Sequence, residues 1–271
     1  MQINRAKEAG FCPGVRRAVE LALGNQGKKL YLLGEIVHNR SVVEKLKEEG
    51  IETIEDWRGI SPASILIRSH GLAPSEKKEL EAAGWEVHDA TCPWVKQIHA
   101  RARQLVEEGY PLFLIGEPNH PEVKAFTRGD YGEVKVLSSV EEAASVKIKK
   151  AGVVMQSTFS PQKAGEILGK LYLHTEELKA FRTLCRVTSE RVSAALQLAG
   201  EVDMMIVIGG KNSSNTRQLT EACKGMVPTY QIETADEIQE GWLRDKTRIG
   251  VTAGASTPDW IIEDVIRHLA P

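Results

Sequence analysis

Three short apolar runs recur along this chain, each ending in glycine and a polar turn: KLYLLGEIVHN, YPLFLIGEPNH and DMMIVIGGKNSSN. Their glycines, Gly34, Gly116 and Gly209, lie 82 and 93 residues apart. A second set, ASILIRSHGLAPS, GVVMQSTFSPQK and RIGVTAGASTPDW, runs from an apolar stretch into a small-polar turn with a proline at the next helix start. Those prolines, Pro74, Pro161 and Pro258, are 87 and 97 residues apart. Cys12, Cys92 and Cys185 keep the same order of spacing, at 80 and 93 residues, and each precedes a helical pattern. Self-similarity of this kind constrains a fold more than any single motif, because each repeat must form one supersecondary unit.

Apolar runs bounded by turn signals and followed by helical periodicity read as buried strands alternating with helices. The expected class is α/β: three pseudo-equivalent α/β units with mostly parallel sheets, trefoil-like around a central cavity. The units are placed at residues 1–92, including the N-terminal segment, 93–184 and 185–271. In such sheets ligands bind beyond the carboxyl ends of the strands, where loops enter helix N-termini. The repeated polar residues and cysteines all fall at loops of this kind. After Cys185, the residues Val187, Val192, Ala195 and Leu196 can share one helix face.

A helix N-terminus offers unpaired N–H groups and the positive end of the helix dipole. That setting favours a thiolate, the form of cysteine that binds metals. Proline after Cys12 and Cys92 suits the first helical turn, where its missing N–H has no partner to lose. Arg186 follows Cys185 instead. Three thiolates with no fourth in register point to a metal centre with one open position. Zinc accepts three protein ligands and an open site, but its ligands usually include close pairs such as CxxC, and the chain has none. An iron–sulfur cluster takes cysteines from distant segments more readily. Cys223 has no counterpart in the repeat and reads as a small buried residue.

His38, His70 and His120 stand at strand ends in the first two repeats, and the third carries Ser213, Ser214, Asn215 and Ser256 there. Neutral donors at turns that open helices suit a phosphate or diphosphate. No P-loop or GxGxxG pattern points to a nucleotide. Glu122, beside His120, reads as a proton donor. His88, His99, His174 and His268 lie outside the matched turns and read as surface or core residues.

The global balance excludes some functions. Lys and Arg number 35 and Asp and Glu 37, a net charge of −2, so no basic field favours nucleic acid or an anionic membrane. MQINRAKEAG lacks the apolar core of a signal peptide, and no apolar run reaches the ~18 residues of a membrane span. Four cysteines are too few for a disulfide scaffold, so the expected compartment is a reducing cytoplasm.

The segments GFCPGVRRAVE, EIVHNRSVVEKL, SHGLAPS, DATCPWVKQIH, IGEPNHPEVKA, QSTFS, GGKNSSNTRQL and VTAGASTPDW span nearly the whole chain. In these segments, and in their order, the chain resembles the 4-hydroxy-3-methylbut-2-enyl diphosphate reductases, a LytB-type family. The resemblance implies a 4Fe–4S cluster held by Cys12, Cys92 and Cys185, with one open iron that binds the substrate's C4 oxygen. It implies that His38, His70, Ser213, Asn215 and Ser256 hold the diphosphate, with Ser214 and His120 adding to the pocket. Glu122 would deliver protons, relayed through the Ser157 hydroxyl or the diphosphate.

The implied reaction is a reductive dehydroxylation to isopentenyl and dimethylallyl diphosphate, with electrons from a ferredoxin or flavodoxin. Two departures from the family pattern stand out. Gln156, Ser157 and Thr158 occupy a typical Gln-Thr-Thr, and TLCRVTSERV differs from TICxATxxRQ at Val187 and Val192. Two rival readings are a zinc-dependent hydrolase of a phosphorylated small molecule, with Glu122 as base, and an iron–sulfur redox sensor. A sensor usually carries a recognition element, and neither a helix-turn-helix signal nor a basic stripe is present.

Overall fold

The computed structural model describes residues 1–24, 29–37 and 39–270. In chain order, β1 (Gln2–Arg5) leads to α1 (Pro13–Leu23), β2 (Leu30–Leu33), α2 (Arg40–Glu48), β3 (Glu52–Ile54) and β4 (Ser64–Ile67). Then come α3 (Pro74–Ala82), β5 (Glu86–Asp89), α4 (Pro93–Glu107), β6 (Leu112–Ile115), α5 (Pro121–Thr127), β7 (Val134–Leu137) and α6 (Val140–Ala144). The series continues with β8 (Lys150–Met155), α7 (Pro161–Tyr172), β9 (Glu177–Ala180), α8 (Arg186–Ala199), β10 (Met204–Ile208), α9 (Ser214–Lys224) and β11 (Thr229–Ile232). A short 3-10 turn at Ala235–Glu237, α10 (Glu240–Leu243), β12 (Arg248–Ala253) and α11 (Asp259–Leu269) complete it.

The strands form three four-stranded sheets, ordered β3-β2-β4-β5, β7-β6-β8-β9 and β1-β12-β10-β11. Every pairing in them is parallel. The α/β class with parallel sheets is therefore as expected. The two inner strands of each sheet are the apolar runs of the sequence. LYLL, SILI, LFLI and MMIVI are buried at every residue, as parallel strands covered on both faces must be. The outer strands, such as EVHD and ELKA, mix exposed and half-buried residues.

Reversed, the third sheet reads β11-β10-β12-β1, which repeats the pattern of the other two with β1 in the place of β5 and β9. The N-terminal segment, read with the first unit, thus gives its strand to the sheet built by the last part of the chain. Its register runs from Gln2 opposite Arg248 to Arg5 opposite Val251.

Contacts divide the chain into two compact units. One comprises Met1–Leu23, Glu35–Gly50 and Arg186–Pro271; the other comprises Gly24–Gly34 and Ile51–Cys185. The first unit contains the third sheet. Its core joins Met204, Ile206, Ile208, Ile249 and Val251 to Ile262 and Val265 of α11. The second unit contains the other two sheets. There Ile98 and Leu105 of α4 pack with Leu112, Leu114 and Val154, and Ile167 and Leu171 of α7 pack with Phe113 and Val153.

The buried face of α8 is Arg191, Ala195, Leu198 and Ala199. The sequence places Val187, Val192, Ala195 and Leu196 on that face, yet only Ala195 is fully buried among them. An arginine on the core side is what the apolar pattern could not indicate.

Candidate active site

The repeat is drawn in hydrogen bonds as well as in sequence. Gly34, Gly116 and Gly209, just past the first strand of each set, donate their N–H to Ile54, Leu137 and Ile232 on the neighbouring outer strand at 2.8, 3.0 and 2.8 Å. Each cysteine follows the fourth strand of its sheet and donates its N–H to the turn after the third strand. Cys92 bonds Ser69 at 3.0 Å, Cys185 bonds Ser157 at 2.8 Å, and Cys12 bonds Ala255 at 3.1 Å. In every case the acceptor is two residues beyond the strand end at Ile67, Met155 or Ala253. The three cysteines form no disulfide and are half-buried, and each stands immediately before a helix. Cys92 is the N-cap of α4 with Pro93 behind it. At Cys12 the sulfur receives the Val15 N–H at 3.4 Å, so the orphan donors of the α1 terminus face the thiol. Cys223 is fully buried, and burial pushes its thiol up to about 11.

In the second unit, His120 caps α5, and its Nδ1 accepts the Glu122 N–H at 3.2 Å. In a neutral ring that leaves the proton on Nε2. The His70 and His120 rings meet edge to face with centroids 5.4 Å apart. Glu122 is only 4% exposed. Its Oε1 accepts the Ser157 N–H at 2.6 Å, and its Oε2 accepts the Ser157 hydroxyl at 2.5 Å. Burial raises the carboxyl's pKa, and the two Ser157 bonds oppose that rise. Gln156, fully buried, accepts the Glu117 N–H at 2.8 Å and donates to the Thr158 hydroxyl at 3.0 Å. It thereby fixes the GEPNH turn to the QST turn. A Cβ on Gly116 would lie 3.0 Å from Gln156 and from Val123, so a larger residue there needs these neighbours to give by a few tenths of an ångström.

In the first unit, Ser213 caps α9 and its hydroxyl accepts the Thr216 N–H at 3.4 Å. No acidic side chain occupies the first turn of this 11-residue helix, which leaves its N-terminus suited to an anion. Ser213, Ser214 and Asn215 are each 5% exposed, and Ser256 in the turn after β12 is 7% exposed. Both amide atoms of Asn215 lack a hydrogen-bond partner among the described residues. A buried polar group left so costs about 1–3 kcal/mol, a cost a bound ligand would remove. His38 lies outside the described residues; its neighbour Asn39 caps α2, accepting the Val42 N–H at 3.2 Å.

Of the histidines read as bland, His99 is paired with the Tyr131 hydroxyl at 2.5 Å, and burial and then the Arg103 charge lower it to about 4. Gln156, Thr183 and Arg191 carry no role in the sequence reading. Thr183 is buried, its hydroxyl accepting the Met155 N–H at 2.7 Å and donating to the Met155 carbonyl at 2.6 Å. It sits two residues before Cys185, a regularity visible only once the strand ends are known. Among the described residues no helix is long and apolar enough to cross a membrane.

The chain is similar to known proteins over nearly its whole length. The family model described as "LytB protein" matches residues 3–270. A 4-hydroxy-3-methylbut-2-enyl diphosphate reductase of Geobacter sulfurreducens is 41% identical over 99% of this chain and 97% of its own. That of Aquifex aeolicus is 43% identical over 96% of this chain and 93% of its own. A solved structure of (E)-4-hydroxy-3-methyl-but-2-enyl diphosphate reductase, titled the terminal enzyme of the non-mevalonate pathway, is 41% identical with a TM-score of 0.75, covering 99% of both chains. The corresponding reductase of Plasmodium falciparum is 26% identical with a TM-score of 0.92, over all of this chain and 88% of its own. By the family match and by these relatives, the chain belongs to the LytB family.

Proposed function

We propose that this protein reduces (E)-4-hydroxy-3-methylbut-2-enyl diphosphate to isopentenyl and dimethylallyl diphosphate, the terminal step of the methylerythritol phosphate pathway. The observation that carries the reading is the full-length likeness to curated reductases of that name at about 40% identity. Two electrons and two protons enter, the C4–O bond breaks, and the hydroxyl leaves as water. One-electron carriers of the ferredoxin or flavodoxin class supply the electrons.

Cys12, Cys92 and Cys185 would hold a 4Fe–4S cluster with one open iron. The donor set fits: three half-buried thiols outside any disulfide, each at a helix start and each tied to the turn after the third strand. When bound, the cluster supplies one-electron transfer and a Lewis-acidic iron. The zinc reading is weaker. Zinc sites usually draw ligands from close pairs such as CxxC, and the sequence has none.

Asn215, with Ser213, Ser214 and Ser256, would bind the diphosphate. The unpartnered amide and the acid-free start of α9 support this role. His38, His70 and His120 would complete the set, His120 through its Nε2–H. Burial raises the pKa of the Glu122 carboxyl, and Glu122 would pass a proton by way of the Ser157 hydroxyl, which is hydrogen-bonded to its Oε2. Units at 1–92, 93–184 and 185–271 describe the repeat along the chain.

Anaerobic purification tests the whole reading. We expect a brown protein that bleaches with dithionite and reduces the diphosphate substrate with an artificial one-electron donor. A colourless, zinc-loaded protein without that turnover would overturn it.

A further inference from the structure

The last carbonyl of each third strand meets a different donor: a group of the strap leading to the sheet's own cysteine in the first two sheets, and a side chain of α8, the helix after Cys185, in the third. In the first sheet the Ala90 N–H reaches the Ile67 carbonyl at 3.0 Å. In the second the Thr183 hydroxyl reaches Met155 at 2.6 Å, while the Trp94 indole N–H takes the Thr183 carbonyl at 2.8 Å. Ala90, Thr183 and Gly10 each stand two residues before their cysteine. Gly10, at φ +97°, has no side chain to offer and holds a left-handed conformation that favours glycine. There Arg191 does both tasks: its Nη1 donates to the Gly10 carbonyl at 2.6 Å and to the Ala253 carbonyl at 2.9 Å.

Strand geometry explains the need. Ala6 bonds the Val251 carbonyl at 2.8 Å, the last contact before β1 parts from β12. Alternation along the strand turns the Ala253 carbonyl to the same edge, beyond the reach of the ladder. The guanidinium replaces the missing strand donor. It is 2% exposed, and its position, six residues after the cysteine, is filled by the buried Ala18 in α1 and the buried Ile98 in α4. Burying a charge is costly where neutral donors suffice, and the other two straps use neutral donors. Arg191 therefore answers a demand particular to this strap. What distinguishes it is that one arm grips the chain two residues before Cys12 and the same nitrogen grips the strand end three residues before Ser256.

Resting on the assignment of Cys12 to the cluster and Ser256 to the diphosphate, we propose that Arg191 is a positioning residue that couples the two. It clamps the Cys12 strap to the turn carrying Ser256, so that an anion bound at the turn steadies the cysteine. An Arg191→Met variant keeps an unbranched side chain, two bonds shorter, and loses the donors. Arg191→Lys keeps the charge and a single nitrogen able to donate twice, on a chain one bond shorter.

The test uses the anaerobic, cluster-loaded full chain and measures iron release to a chelator, with and without inorganic diphosphate. Wild type should release iron more slowly with diphosphate. Arg191→Met should release it about tenfold faster, the scale of losing a partner that orients a metal ligand, and lose the protection by diphosphate. Arg191→Lys should fall between them and carries the test if the methionine variant does not fold. A merely structural arginine would lower the melting temperature while leaving iron release and its protection at wild-type values, and that result overturns the proposal. So does a cluster-loaded wild type that diphosphate does not protect. A wild type with neither cluster nor turnover would instead sink the functional reading beneath it.

Discussion

The Glu122 region and the Asn215 region are built on opposite principles. Glu122 is buried and already partnered, with both carboxyl oxygens bonded to one residue, Ser157. Asn215 is buried to the same degree, yet both its amide atoms lack partners among the described residues. Each arrangement suits a different task. A group that must keep a proton until the reaction needs it benefits from burial that disfavours its charge. A group that must grip a ligand benefits from donors whose desolvation has already been borne by folding. In one region burial makes charge costly on a group whose hydrogen bonds are met; in the other it leaves a hydrogen-bonding demand unmet.

The contrast breaks first at Glu122. Glu122→Gln should keep its iron content and its substrate affinity but lose about 10²–10⁴-fold in turnover, the usual range for a general acid. Steady-state rates with an artificial one-electron donor, alongside iron analysis, check it. Near wild-type turnover would remove Glu122 from the proton path. Ser157→Ala should retain the N–H bond to Glu122, lose the hydroxyl relay, and slow turnover by about tenfold or more. Ser157→Thr, the residue typical of the family, should restore the rate.

Asn215→Ala sharpens the other side. Its KM should rise about tenfold, equivalent to roughly 1.4 kcal/mol, while kcat changes less. Its melting temperature should hold or rise, because alanine is the better helix former and no internal hydrogen bond is lost. A marked fall in stability with an unchanged KM would make Asn215 structural.

The smallest effect is on stability against pH. Burial raises the Glu122 pKa above its ordinary 4.5, so between 4.5 and the folded value the native state binds more protons than the unfolded one. Stability from this group therefore falls as pH rises through that window, by about 1.4 kcal/mol for each tenfold drop in proton concentration across it. Urea unfolding of wild type and Glu122→Gln should coincide near pH 4 and separate as pH rises, with the variant the more stable. Parallel curves over the whole range would mean Glu122 is not held as an acid.

The six inner strands were legible because LYLL, SILI, LFLI, KAGVVM, MMIVI and RIGVTA are buried and must be apolar at almost every position. The outer strands were not, since ETI, EVHD and ELKA are short and partly exposed, and carry no period that separates them from loops. The candidate residues at Cys12, Cys92, His120, Glu122 and Asn215 were legible because they stand at turns fixed by prolines, glycines and strand ends. Thr183 and Arg191 were hidden. Their partners are main-chain carbonyls, and a carbonyl's place in space leaves no mark in the residue that bears it.

By itself the sequence determined the period, the parallel α/β class and which turns carry cysteine, histidine, serine and carboxylate, because those follow from local pattern and burial. Only the tertiary structure decided that β1 closes the third sheet, since Gln2–Arg5 gains its meaning from a partner strand some 246 residues away at Arg248–Val251. Only it could turn Arg191 inward, because a buried charge becomes tolerable once two distant carbonyls, at Gly10 and Ala253, are brought to meet it.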